Sequence, residues 1–133
     1  MAPRVLISDK LSETAVQIFR DRGLDVTFEP DLGKDKDRLL EMIPDFDGLA
    51  IRSATKVSDK VLEAATNLRV IGRAGIGVDN VDTKAASARG VIVMNTPYGN
   101  SITTAEHAIS MMLALARQIP AAHASTQAGK WEK

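Results

Sequence analysis

The sequence has no cysteine. Disulfides and thiolate metal sites are thereby excluded, and a reducing compartment suits such a chain. It has no excess of either charge, because Lys and Arg total 17 and Asp and Glu total 17. That balance points neither to nucleic acid nor to an acidic tail. It has no long apolar run near its start: Val5-Leu6-Ile7, between Arg4 and Asp9, is too short for a signal peptide. The longest apolar helical candidate, 105–116, is too short to span a bilayer, so a soluble, cytoplasmic chain is expected. Histidine is scarce as well. His107 and His123 both fall in stretches that read as helix, and His107 reads as a packing or surface residue.

What is present is ordinary for a globular protein: 133 residues, 44% apolar and 26% charged, enough for one sizeable core. Short apolar runs alternate with helical patterns. Strands are expected at 5–7, 24–28, 48–51, 68–71 and 91–94. Between them fall a helix capped by Ser12 and stopped at Gly23, a helix over 34–43 ended by Pro44, a helix capped by Ser58, and a short helix over 81–89. The charge run Lys34 to Arg38 reads as a solvated helix face. Such alternation predicts an α/β fold, a doubly wound parallel sheet of βα units. Beyond the turn-rich link Asn95-Thr96-Pro97-Tyr98-Gly99-Asn100, the stretch Thr103-Thr104-Ala105-Glu106 matches a capping box opening a helix over 105–118. That helix is apolar on most sides and has to be covered by a second subunit or a further domain.

The stretch Gly72-Arg73-Ala74-Gly75-Ile76-Gly77 follows an apolar run, as phosphate-cradling loops do. Its spacing, however, is G-x-x-G-x-G. From Gly75 it reads G-x-G-x-x-N, and position 95, where a ribose-binding acid would belong, is Asn95. Ligands of open parallel sheets bind beyond the carboxyl ends of the strands. The loops there carry Asp9, Arg52-Ser53, 73–77 and 95–100. Two arginines on neighbouring strands beside a glycine turn suit a carboxylate or phosphate. The competing reading is a surface ion pair for each arginine. Asp79-Asn80 reads as the cap of the following helix rather than as part of a metal site with Asp82. A receiver-like signalling domain would need an acid pair after strand one, an Asp after strand three and a Lys after strand five. The residues there are the lone Asp9, Arg52-Ser53 and Asn95-Thr96-Pro97.

Three stretches then carry a resemblance: Arg52-Ser53-Ala54-Thr55-Lys56-Val57, Gly72 to Asp82, and Asn95 to Ser101, continuing through Gly129-Lys130-Trp131-Glu132. In this order they resemble the D-2-hydroxyacid dehydrogenase family. The resemblance implies a flavodoxin-like substrate-binding domain over 1–97. It implies the start of a nucleotide-binding domain of Rossmann type over 98–133, with a dimerisation helix and arm. It further implies an NAD-dependent oxidoreductase acting on 3-phosphoglycerate, or a similar small 2-hydroxy acid, at the opening step of serine biosynthesis. Arg52, Ser53, Arg73, Ala74, Gly75 and Asn100 become the expected substrate contacts, with the Ala74-Gly75 backbone on the carboxylate. Ile76 and Thr104 are expected near the nicotinamide of NAD. By the same resemblance, the family's G-x-G-x-x-G loop, ribose-binding acid and catalytic Arg, Glu and His fall beyond the position of Lys133. No catalytic or metal residue is therefore expected in this chain, which would be inactive alone. Pairing through 103–133 is expected, with no nucleic-acid or membrane partner. The alternative is a free-standing anion-binding or dimerisation module without catalysis.

Overall fold

The computed structural model describes residues 2–131. The chain divides into two compact units, Met1–Pro97 and Tyr98–Lys133. In the first, five strands form one sheet: β1 (Arg4–Ile7), β2 (Asp25–Phe28), β3 (Gly48–Ile51), β4 (Val70–Arg73) and β5 (Ile92–Asn95). Every pairing is parallel and the order is β2-β1-β3-β4-β5. The helices are α1 (Glu13–Asp21), α2 (Lys36–Met42), α3 (Asp59–Ala64) and α4 (Thr83–Ala88).

The alternation of side chains along each strand splits the core in two. Leu6, Leu49, Ile51 and Ile71 face α2, α3 and α4 and pack with Leu39, Ile43, Val61, Leu62 and Ala86. Val5, Ile7 and Ala50 face the other way and meet Val16 of α1. One helix covers only part of that second face. A cavity of about 580 Å³ opens beside α1, lined among others by Leu11, Phe19, Ala50, Val70, Gly72 and Met94. The expected doubly wound α/β architecture is thus present, with β3 at the centre and buried throughout.

Several boundaries differ from the sequence expectation. Strand four was expected to stop at Ile71, but Gly72 pairs with Ala50 and Met94, and Arg73 pairs with Ile51 and Asn95. Pairing on both sides outweighs the weak strand preference of glycine. The glycine turn accordingly begins at Ala74. The second helix starts at Lys36, after a 3-10 turn over Leu32–Lys34. The charge run is more than a solvated face: the Asp35 side chain accepts from the Arg38 N–H at 3.1 Å, and Arg38 pairs with Glu29 at 3.1 Å. Ser58 precedes α3 as expected, yet its buried hydroxyl makes no hydrogen bond within the protein. Ser12 does cap α1, accepting from the Ala15 N–H at 3.2 Å, and Gly23 leaves the helix at φ +76°.

The second unit consists of α5 (Ser101–Ala116) and α6 (Ile119–Gln127), separated by Gln118 in the left-handed region. The capping box expected at Thr103 does not form. The helix has already begun at Ser101, and the Asn100 side chain at its N-cap makes no capping bond. The arm expected within 98–133 contains the helix α6, with Pro120 in its first turn, where the missing N–H is harmless. The end of the expected arm, Glu132 and Lys133, lies outside the described residues. No residue of α5 or α6 is buried, and Met112, Leu113 and Leu115 are among the exposed apolar side chains. Among the described residues, no helix is long and apolar enough to cross a membrane.

Candidate functional site

The loops at the carboxyl ends of β1, β3 and β4 are tied together by two side chains. The first is Asp9, directly beyond β1 and 2% exposed. One of its carboxyl oxygens accepts from the Arg52 N–H at 2.6 Å and the Thr55 N–H at 3.2 Å, and the other accepts from the Thr55 hydroxyl at 2.9 Å. Thr55 and Ser8, both fully buried, share a further hydrogen bond of 2.7 Å. A buried polar group is costly unless partnered, so this carboxyl group holds the 52–55 loop in one conformation. Gly33 closes the network from above, donating its N–H to the Ser8 carbonyl at 2.9 Å. A Cβ at that position would collide with Thr55 Oγ1 and Asp9 Oδ1.

The second side chain is Asn80. Its Oδ1 accepts from Arg73 Nε at 3.1 Å, and its Nδ2 donates to the carbonyls of Arg52 and Thr55, each at 2.7 Å. The expectation that Asn80 caps the next helix is corrected here. Asp82 caps α4, accepting from the Ala85 N–H at 2.9 Å.

The sites of the arginines follow. Arg52 is exposed and donates through Nη1 to the Lys10 carbonyl at 3.2 Å. Arg73 is half-buried and folds back over Gly75, where an added Cβ would meet its Nη1 and stand 2.8 Å from its Cζ. Among the described residues neither arginine joins an ion pair; the pairs that form use Arg4, Lys10, Lys34, Arg38 and Arg89. The surface-pair reading therefore does not account for them. A guanidinium has five N–H donors, and most of those on both arginines remain free for an anion.

Ser53 and Ala74 are exposed beside the arginines, and Gly75 is half-buried. The loop 74–77 is pinned at both sides. The Ala74 N–H donates to the Ile51 carbonyl at 2.8 Å, the Gly75 N–H to the Arg73 carbonyl at 2.9 Å, and Thr96 N–H to the Gly75 carbonyl at 3.0 Å. Asn95 Nδ2 donates to the Ile76 carbonyl at 2.7 Å, which leaves the Ile76 side chain 40% exposed. The two N–H groups expected to hold a carboxylate, those of Ala74 and Gly75, are thus already engaged. Among the described residues the next two, of Ile76 and Gly77, donate to no backbone carbonyl. The structure therefore brings Arg52, Ser53, Arg73, Ala74, Gly75 and Ile76 to one edge of the first unit. Asn100 and Thr104 belong to the second unit, at the N-cap and in the first turns of α5.

The roles of Asp9 and Asn80 were not foreseen from sequence. A polar pair, Ser8-Asp9, at the end of the apolar run Val5-Leu6-Ile7 was the available signal for the first. The second had no local signal, since its partners lie 7, 25 and 28 residues away.

Comparison with known proteins identifies the family. The description of the D-isomer specific 2-hydroxyacid dehydrogenase catalytic domain matches residues 5–130. A D-3-phosphoglycerate dehydrogenase of Archaeoglobus fulgidus is 48% identical over 130 residues, and one of Sus scrofa is 51% identical over 130 residues. Both matches cover 98% of this chain and 24% of the relative, so the chain spans about a quarter of their length. Among solved structures, an NAD+-bound 3-phosphoglycerate dehydrogenase of Entamoeba histolytica matches with a TM-score of 0.72 and 31% identity, covering 86% of this chain and 39% of that one. The chain belongs to the D-isomer specific 2-hydroxyacid dehydrogenase family.

Proposed function

We propose that this chain is the substrate-binding segment of an NAD-dependent D-3-phosphoglycerate dehydrogenase, which oxidises the 2-hydroxyl of 3-phosphoglycerate to a ketone at the opening of serine biosynthesis. The observation that carries the reading is the pair Arg52 and Arg73, unpaired with any acid among the described residues and held on adjacent loops of one sheet edge. Their free N–H groups suit a phosphate and a carboxylate, which a guanidinium binds bidentately. Ser53 adds a hydroxyl, and the Ile76 and Gly77 N–H groups add backbone donors beside the pinned Ala74-Gly75 turn. Asn100, at the N-cap of α5, is a further proposed substrate contact by resemblance alone.

NAD, when bound, supplies the hydride acceptor. The residues here that fit it are Ile76, an exposed apolar side chain suited to one face of a nicotinamide ring, and Thr104. The sequence contains no G-x-G-x-x-G loop for a pyrophosphate, so no residue is assigned to that part. The domains follow the same reading: 1–97 binds substrate, and 98–133 opens the nucleotide-binding domain and pairs two copies through α5 and α6. The exposed apolar residues of these helices support the pairing, since monomers rarely present such a patch to water.

Calorimetric titration of the 133-residue chain with 3-phosphoglycerate tests the reading. Arg52→Ala removes charge-assisted hydrogen bonds worth roughly 1.5–3 kcal/mol, so affinity should fall about tenfold to more than a hundredfold. Unchanged affinity would leave Arg52 without a part in substrate binding.

A further inference from the structure

The segments bearing Arg52 and Arg73 belong to different crossovers; the Ile51–Arg73 pairing and the Ala74 N–H bond to the Ile51 carbonyl join their backbones, but do not set where the Arg73 side chain lies. The Asn80 side chain links them. A side-chain amide has two donor hydrogens and one acceptor oxygen. Asn80 gives both donors to the loop after β3, at the Arg52 and Thr55 carbonyls, and its oxygen to Nε of Arg73. Its own backbone is secured to the core. The Asn80 carbonyl accepts from the Val57 N–H at 2.8 Å, and Val57 bridges to the neighbouring Val81, both valines being buried. Capping does not explain the residue, because Asp82 performs it.

We propose that Asn80 is a positioning residue: one amide fixes the Arg73 guanidinium against the Arg52 loop, so that both arginines meet an anion as a single prearranged pair. This rests on the reading that the pair binds 3-phosphoglycerate. Long side chains lose rotamer freedom when they bind, and an arginine held at Nε beforehand has less left to lose. The bond uses Nε and leaves the terminal nitrogens available. Aspartate at position 80 would keep the acceptor for Arg73 but lack both donors, and alanine would lack all three contacts.

The 133-residue chain, its Asn80→Ala, Asn80→Asp, Arg52→Ala and Arg73→Ala variants, and Asn80→Ala combined with Arg73→Ala, are titrated with 3-phosphoglycerate by calorimetry. Arginine side-chain NMR signals are recorded in parallel. In the unsubstituted chain the Arg73 Nε–H should exchange slowly and shift with the same midpoint as the Arg52 and Ser53 amides. Asn80→Ala should weaken binding about fivefold or more and abolish the slow signal. Asn80→Asp should retain the signal and still weaken binding. In the Arg73→Ala background, removing Asn80 should cost clearly less than it does alone, because half of its task is gone. Equal losses in both backgrounds mark a merely structural role and overturn the proposal. If the arginine variants lose affinity while both Asn80 variants bind normally, this inference falls and the anion site stands. If neither arginine variant weakens binding, the anion site itself falls. Should both Asn80 variants unfold, as judged by circular dichroism, the unsubstituted chain decides. An Arg73 Nε–H exchanging as fast as that of a solvated arginine overturns the link.

Discussion

Two glycine-to-alanine substitutions in the first unit should have opposite outcomes. At Gly33 the new Cβ would press on Thr55 Oγ1 and Asp9 Oδ1 and lie 2.8 Å from the Thr55 nitrogen. None of these atoms can yield freely, since Asp9 and Thr55 are buried and bonded to one another. Overpacking costs roughly 1–3 kcal/mol, and each displaced Asp9–Thr55 hydrogen bond adds about 1 kcal/mol. A loss on the order of 3 kcal/mol follows, which for a unit of this size lowers Tm by roughly 12–24 °C. At Gly72 the new Cβ would meet nothing within 4 Å, because it enters the cavity beside α1. Reduced freedom of the unfolded chain then favours the folded state by up to about 1 kcal/mol. Far-UV circular dichroism during heating is the suitable assay. Fluorescence is not, because Trp131 lies in the other unit and is 88% exposed. A Gly33→Ala variant melting within a few degrees of the unsubstituted chain, or a Gly72→Ala variant falling equally far, would refute the assigned role of the Asp9 network.

Gly75→Ala should separate binding from stability. Its Cβ would displace only the end of the Arg73 side chain, so heating curves should stay unchanged while calorimetry shows 3-phosphoglycerate affinity falling several-fold. Self-association should depend on the second unit: light scattering is expected to show dimers or larger species, and Leu113→Glu combined with Leu115→Glu should shift the population toward monomer. A monomer at all concentrations before substitution would remove that part of the reading. Incubated alone with NAD and 3-phosphoglycerate, the 133-residue chain should give no NADH absorbance above a blank. Turnover would show that it holds more of the catalytic machinery than proposed.

Much of the fold was legible because parallel strands buried on both faces leave compact apolar runs. Gly48 to Ile51 is the clearest case, read with its observed limits and buried at every position. Reading was weaker where pairing rather than hydrophobicity defines a strand. Gly72 and Arg73 are held in β4 by neighbours on both sides, and neither residue type announces a strand. At α5, Thr103 and Glu106 had the spacing of a capping box, yet the helix starts two residues before Thr103, and the pattern is overridden. The arginines could be placed at one edge from strand order alone. What holds them could not, since Asp9 reaches Arg52 across 43 residues and Asn80 reaches the Arg52 and Thr55 carbonyls across 28 and 25, and such contacts exist only once the sheet has formed.

The most direct measurement is an NMR titration of the 133-residue chain with 3-phosphoglycerate, following backbone amides and arginine side chains together. Saturable shifts should concentrate at Arg52, Ser53, Arg73 and the Ile76 and Gly77 amides, with one common midpoint. Amides at the opposite, amino-terminal edge of the sheet, such as Arg4, Asp25 and Val70, should stay still. Shifts spread evenly over exposed lysines and arginines, without saturation, would contradict an anion site built from Arg52 and Arg73.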